Sequence, residues 1–240
     1  LTFGYDEVGT MATIYNYPYY VDHMKRMGFA KDAGWVEFYV KVPDKVPEKH
    51  ARIARIVQQR EGLKVKKFKS RKKVKAQYGH ALFELINEAY DKLYGYSPLT
   101  PRQIDYYVDM YLGILNLDYV TVITDADDKI VAAGISIQSF SRALQKSRGR
   151  LFPFGWWHML RALMGHSDAV DLLLIAVKPE YQSKGVNALI FNDLIPQYIK
   201  SGFLHAETNL ELEDNTKVQN QWDYFENRLH RRRATFRKPL

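Results

Sequence analysis

The stretch Val177-Lys178-Pro179-Glu180-Tyr181-Gln182-Ser183-Lys184-Gly185-Val186-Asn187-Ala188-Leu189-Ile190-Phe191-Asn192 joins two different hydrophobic patterns. Ahead of it, Leu172 to Val177 is an unbroken apolar run, as in a strand buried on both faces. Behind it, Ile190, Leu194 and Tyr198, with Phe191, Ile195 and Ile199, recur at helical spacing. The local reading is strand, glycine turn, helix, with Pro196 expected to kink the last turns because it removes one helical hydrogen bond. Such a junction presents unpaired backbone N–H groups at the positive end of a helix dipole, which suits anionic phosphates. Gly185 would let the backbone approach a ligand, and Lys184 would add charge. A plain turn is the alternative, since any strand-to-helix turn can carry a glycine. Neither the Gly-Lys-Ser/Thr of a Walker loop nor GxGxxG is present.

Outward from the junction, Asp118 to Thr124 and Lys129 to Ile137 flank the turn Asp125-Ala126-Asp127-Asp128, which predicts a hairpin. Before it, Leu82, Leu85, Ile86, Ala89 and Leu93 predict a helix over 79–93, and Thr100-Pro101 opens a second over 104–115. A strand is expected at 63–68, and a basic, aromatic insertion with two short helices at 141–166. After the junction helix come an expected strand at 203–208 and a last helix from Asn215. Residues 1–42 read as strand, helix, strand: Gly9 to Tyr15, Tyr19 to Met27 closed by Gly28, and Trp35 to Val42. Pro43 and Pro47 begin a helical connector at 43–63, with Ile53, Ile56 and Val57 on one face.

The 240 residues are 46% hydrophobic, ample for a core, and no run approaches the roughly 18 apolar residues of a spanning helix. The N-terminus lacks a basic region followed by an apolar stretch, so a cytoplasmic protein is expected, and the initial Leu1 suggests a fragment. With no cysteine, the chain has no disulfide, thiolate nucleophile or Cys-ligated zinc. His158 and His166 have no carboxylate at ligand spacing, so no metal site is expected. The net charge of +8 is concentrated in Lys64 to Lys75 and in Arg228, Arg231-Arg232-Arg233 and Arg237-Lys238. Such clusters can bind nucleic acid or an anionic ligand, although solvated strand edges and helix ends are the favoured reading.

Gln182-Ser183-Lys184-Gly185-Val186-Asn187 resembles the acetyl-CoA loop of the GCN5-related N-acetyltransferases, Gln/Arg-x-x-Gly-x-Gly/Ala, with Asn187 as the departure and Ala188 one residue late. The element order from about residue 64 onward is also similar. The resemblance implies an α+β fold, a mixed and mostly antiparallel central sheet flanked by helices, over 64–240. Residues 1–42 resemble the closing strand-helix-strand of a second such unit, through Asn16, His23, Gly28-Phe29 and the strand from Trp35. The phrases Gly9 to Tyr20 and Ser141 to Lys146 are similar to a bacterial group of tandem acetyltransferase-like proteins, which supplies no substrate.

The resemblance further implies acetyl-CoA as co-substrate. Backbone groups of Ile175, Ala176 and Val177 would pair with the pantetheine arm, and Gln182 with the N–H groups of Ser183, Lys184, Gly185, Val186, Asn187 and Ala188 would form the pyrophosphate loop. The family's Asn-x6-Tyr on its last helix reads here as Asn215 followed by Trp222, with Asn209 a competitor for the asparagine role. An indole cannot replace a phenol as acid, which leaves Tyr224, water or nothing. The acceptor amine must lose a proton before it attacks the thioester, and Glu207 and Asp171 are the candidate bases, against plain readings as a rim residue and a strand-end ion pair. Phe152, Phe154, Trp156 and Trp157 would wall an acceptor pocket, or else serve as core or a subunit contact.

The expected activity is therefore N-acyl transfer by direct attack of an amine on the thioester. Its partners are acetyl-CoA and an amine acceptor, with no membrane; nucleic acid is less favoured and a homodimer is open. Two alternatives stand beside it: an aminoacyl-tRNA-dependent peptidyltransferase-like tandem protein, and a catalytically degenerate CoA-binding or scaffold domain.

Overall fold

The computed structural model describes residues 1–112, 115–165 and 167–239. Its helices are α1 (Tyr19–Arg26), α2 (Glu48–Glu61), α3 (Arg71–Tyr90), α4 (Pro101–Leu112), α5 (Ser141–Lys146), α6 (Gly155–Leu163), α7 (Asn187–Lys200) and α8 (Thr216–Gln219). Its strands are β1 (Ala30–Lys41), β2 (Lys64–Lys66), β3 (Val120–Thr124), β4 (Ile130–Gln138), β5 (Ala169–Val177), β6 (His205–Thr208), β7 (Glu211–Leu212) and β8 (Asn227–Arg237). Two compact units arise: 43–137 with 173–201, and 1–42 with 138–172 and 202–240.

In the 43–137/173–201 unit, every residue of β3 and β4 is buried, so the hairpin must be covered on both faces. Strands run in the order β2-β3-β4-β5, with β2 and β4 antiparallel to β3. Val120, Val122, Ala133 and Ile135 pack with Leu82, Leu85 and Ile86 of α3 and Ile104 and Val108 of α4. The other face receives α7: a Cβ on Gly134 would collide with Ile190, and the Ser136 hydroxyl is bonded to Tyr198. Helix α2 lies against α7, where the His50 ring meets Phe191 edge-on. Capping explains two helix starts. The Ser70 hydroxyl accepts from Lys73 N, so α3 begins eight residues before the expected Gly79. Thr100 and Gln103 form a reciprocal capping box at α4. The expected continuation of α4 to Leu115 passes through residues 113 and 114, outside the described residues.

In the other unit the order is β5-β6-β1-β7, with β8 also on β1. Strand β5 pairs in parallel with β6 from Ala169↔His205 to Leu172↔Thr208, while β6, β7 and β8 are all antiparallel to β1. Strand β5 is thus divided between the units at Leu172 and Leu173. The eight strands make the mixed, mostly antiparallel sheet with flanking helices that was expected.

Three local expectations are corrected. Residues 9–15 form turns rather than a strand: Thr13 N bonds to Thr10 O, and the carbonyls of Val8 and Ile14 accept from the side chains of Arg231 and Arg233. The last helix is reduced to the four residues of α8, because Gln219 Nε2 bonds back to Leu212 O and the Trp222 indole to Glu211. The arginine-rich C-terminus is strand β8, the main partner of β1, where a string of like charges hid an alternating pattern. Among the described residues, no helix is long and apolar enough to cross a membrane.

Candidate functional site

The loop after β5 is built by backbone conformation. Ser183 and Gly185 both take positive φ, +62° and +85°, and Val186 returns to the right-handed region. A left-handed then right-handed pair of residues turns successive N–H groups toward one concavity, an arrangement that receives anions. Among the described residues, the N–H groups of Ser183, Gly185 and Val186 have no hydrogen-bond partner, while Ala188 N already bonds to Gly185 O. Helix α7 has no side-chain cap, and Leu189 N, like Ala188 N, bonds back into the turn, to Val186 O.

The side chains anchor the loop and do not extend from it. Gln182 Nε2 donates to Val177 O at 3.0 Å, tying the loop to the end of its strand. Arg60 donates to Lys184 O, and the Lys184 ammonium sits 3.3 Å from Glu61 and 5.0 Å over the Tyr181 ring. Those two cations hold the Glu61 carboxyl below its usual range, with the Arg60 hydrogen bond the larger cause. Gly185 is required twice over, by its φ and because a Cβ would lie 3.1 Å from Ile53 and 3.3 Å from Val57 of α2. Asn187 is half-buried in the first turn of α7, whereas Ala188 is buried.

Within this unit β5 is an edge strand. Lys178 N donates to Val131 O of β4, so alternation turns the backbone groups of Ile175 and Val177 to the opposite edge. There Tyr90 Oη donates to Ile175 O at 3.0 Å, as Gln182 does to Val177 O. Each carbonyl keeps a second lone pair, and the N–H groups of the same two residues face the same way. Ala176, fully buried, faces β4 instead.

The other unit holds a buried row of charge. Asp171 on β5 and Glu207 on β6 are direct cross-strand neighbours, and Tyr39 on β1 faces Glu207 from the far side. Glu37, fully buried, takes Arg231 Nε at 3.1 Å and Arg233 Nε at 3.0 Å on one carboxylate oxygen. Glu207 Oε2 lies 2.8 Å from His230 Nε2 and 3.7 Å from Arg231 Nη2. The Arg233 contact has hydrogen-bond alignment; those of His230 and Arg231 are close in distance but not aligned. Glu7 closes the row, bonded to Arg228 at 2.9 Å and 3.6 Å from His230 Nδ1, and the Arg228 hydrogen bond holds its carboxyl low.

Burial pushes the Asp171 carboxyl up to about 7; the Ser139 hydroxyl opposes the rise, the Glu207 charge adds to it and Arg231 opposes it. Asp171 Oδ1 has no hydrogen-bond partner. His205, stacked on Tyr39 at 4.4 Å, is pushed down by burial against the pull of Glu207.

Asp171 and Glu207 are thus brought together, and Glu207 is a buried, paired group and not a rim residue. Asn215 is the N-cap position of α8 with no capping bond, and Tyr224 lies exposed on the 3-10 turn Trp222–Tyr224, so no continuous helix relates Asn215 to position 222. Trp222 is buried and donates to Glu211 at 2.8 Å. Sequence reasoning missed Glu37, His230 and Arg231. The signal was there: a lone glutamate in an aromatic strand, and arginines two apart that could share it.

Part of each basic cluster is answered by carboxylates. Lys66 pairs with Asp128, Lys67 with Asp193 and Lys75 with Asp109, while Arg231 and Arg233 point inward. Phe152, Phe154, Trp156 and Trp157 are exposed, which removes the core reading of that cluster. Among the described residues, no group of three or more His, Asp or Glu side chains is placed to hold a metal; His166 lies outside them.

No family model and no curated protein matches the sequence. Solved structures do match in shape. A GCN5-related N-acetyltransferase from Sphaerobacter thermophilus superposes with a TM-score of 0.58 at 10% identity, over 91% of this chain and 55% of that one. This chain has the GCN5-related N-acetyltransferase fold. A glucosamine N-acetyltransferase region of a fungal multi-domain β-N-acetylglucosaminidase gives 0.54 at 11%, over 95% and 24%. A tandem protein of the same fold from the clavulanic acid biosynthesis pathway gives 0.50 at 11%, over 94% and 60%. The chain therefore spans little more than half of the first of these acetyltransferase-fold proteins and about a quarter of the second.

Proposed function

We propose that this chain is an acetyl-CoA-dependent N-acyltransferase. The observation that carries the reading is the anion-receiving backbone loop Gln182–Ala188 at the start of α7, on the fold whose solved examples include acetyltransferases. Acetyl-CoA would enter as substrate. Its pyrophosphate would be held by the N–H groups of Ser183, Gly185 and Val186, and its pantetheine amides by the edge groups of Ile175 and Val177, in competition with Tyr90 and Gln182 for the carbonyls.

In the reaction, the neutral amine forms a bond to the thioester carbonyl carbon, the C–S bond breaks, and CoA leaves as a thiolate that takes up a proton. Of the two candidate bases, Asp171 suits the task better. A base works best with a pKa near the operating pH, and burial brings the Asp171 carboxyl up to about 7, while the Glu207 carboxylate lies beside His230 and Arg231. Tyr224 remains the candidate acid for the leaving thiolate.

Titration calorimetry with CoA tests the reading. Binding is expected in wild type and at least tenfold weaker binding in Ser183→Asp, which adds a negative charge at an exposed site whose left-handed backbone aspartate tolerates. Unchanged affinity in a normally folded variant would remove the loop from the reading. CoA release that does not depend on added amine would reduce the chain to a CoA-binding domain.

A further inference from the structure

Residues 141–165 fold as the pair α5 and α6, and α6 is inverted with respect to an ordinary surface helix. It buries its smallest residues, Gly155 and Ala162, and turns its largest outward. A Cβ on Gly155 would collide with Arg150 O, so the helix start is pressed against its own connecting loop by a residue with no side chain. Phe152 and Phe154 in that loop are 79% and 74% exposed, and Trp156, Trp157, Leu163 and Met164 continue the apolar surface along the helix. Water-facing surfaces carry apolar residues singly, and a contiguous group of this size marks a surface that is covered in use.

The charge within this insertion is of one sign. Residues 141–165 contain Arg142, Lys146, Arg148, Arg150 and Arg161 and no Asp or Glu. Arg142 is paired with Asp168 at 2.7 Å. Lys146, Arg148, Arg150 and Arg161 are exposed, and none has a carboxylate partner among the described residues. Elsewhere Lys66, Lys67, Lys75 and Arg233 meet the carboxylates of Asp128, Asp193, Asp109 and Glu37, whereas of the five cations of 141–165 Arg142 alone is paired among the described residues.

We propose that the α5–α6 insertion docks on an anionic lipid surface, with its Phe and Trp side chains entering the interface and its cations meeting lipid phosphates. Aromatic rings beside a purely basic face are the pattern of segments that lie in a bilayer interface. A helix of nine residues is far too short to span, so the insertion lies on the membrane. The expectation of no membrane partner rested on the absence of an apolar run long enough to span, and surface docking departs from it on the exposed aromatics and unmatched charge. This inference is independent of the acyltransferase reading.

Flotation of the full chain with vesicles tests it. Binding is expected to vesicles of phosphatidylglycerol and phosphatidylcholine, with a blue shift of tryptophan emission, and not to phosphatidylcholine alone. It should weaken in high salt. Arg148→Ser/Arg150→Ser should lower the affinity by roughly fivefold per charge removed, and Phe152→Ser/Phe154→Ser should abolish the emission shift with an unchanged circular dichroism spectrum. Failure to float with anionic vesicles overturns the proposal, as does binding that both double variants leave intact. A dimer in sedimentation velocity that Phe152→Ser/Phe154→Ser splits, in a protein that ignores vesicles, would assign the patch to a second copy instead.

Discussion

His230 Nε2 lies 2.8 Å from Glu207 Oε2, and the imidazole is 1% exposed. The contact belongs to a row in which four acidic groups, Glu7, Glu37, Asp171 and Glu207, meet Arg228, Arg231 and Arg233 beneath the N-terminal segment. Burial of this kind is expensive to interrupt, because removing one partner leaves an uncompensated charge inside. Arg231→Met should destabilise the chain by about 3–5 kcal/mol, read from urea unfolding. The double variant Arg231→Met/Glu37→Met should lose less than the sum of the two single changes, since each removes the charge that the other strands. Lys41→Met, which breaks an exposed pair with Glu226, should hardly move the midpoint. Additive losses would show that Arg231 and Glu37 are not coupled.

Glu211 gives a pH-dependent prediction. Its carboxyl is pushed up to about 7 by burial, against the hydrogen bond donated by Trp222. Between the unfolded value near 4.3 and the folded value, the folded state holds more protons than the unfolded one, so stability from this group falls as pH rises through that window. Glu211→Gln keeps an acceptor for the indole and loses the titration. Its stability relative to wild type should therefore grow from pH 5 to pH 8, by an amount on the order of 3 kcal/mol. His50 and His205, whose values burial lowers, act in the opposite direction in both proteins and cancel in the difference. A pH-independent difference would mean that Glu211 is ionised in the fold.

Gly185 can be separated into its two requirements. Gly185→Ala meets both a positive φ and the side chains of Ile53 and Val57, whereas Gly62→Ala meets a positive φ of +64° with nothing within 4 Å. Gly62→Ala should cost roughly 1–2 kcal/mol from backbone conformation alone. Gly185→Ala should cost more, and Ile53→Ala in the same chain should recover the excess but not the remainder. Equal melting shifts for the two glycine variants would show that α2 does not crowd the loop.

Much of the fold was legible because hydrophobic periodicity is local. The all-buried hairpin at 120–138, the apolar run ending at Val177 and the helix after Gly185 carry their own patterns, and Thr100-Pro101 its own cap. The elements that were misread are those fixed by distant partners. Strand β8 is a strand because β1 lies beside it and Glu37 forms ion pairs with two of its arginines. Residues 9–15 are a turn rather than a strand, with Thr13 N bonded to Thr10 O and the carbonyls of Val8 before it and Ile14 near its end taken by those same arginines. At the site, Gln182 and Gly185 announced the loop, while the environment that raises Asp171 depends on Glu207, 36 residues later, and on burial that no short window shows.

The last prediction separates the two candidate bases. If Asp171 accepts the amine proton, the rate must fall at low pH as Asp171 is protonated, with an acid limb near its value of about 7. The Glu207 charge raises that value and Arg231 lowers it, so neutralising each should move the limb in opposite directions. Glu207→Gln should shift the acid limb of kcat/KM to lower pH while retaining activity, and Arg231→Met, where it still folds, should shift it higher. Asp171→Asn should abolish the limb and reduce kcat/KM by roughly 10²–10⁴-fold. A group that only supports the fold would alter the yield of active protein and leave the limb where it was. Loss of activity in Glu207→Gln with an unchanged profile in Asp171→Asn would exchange the roles, making Glu207 the base and Asp171 the neighbour that tunes it.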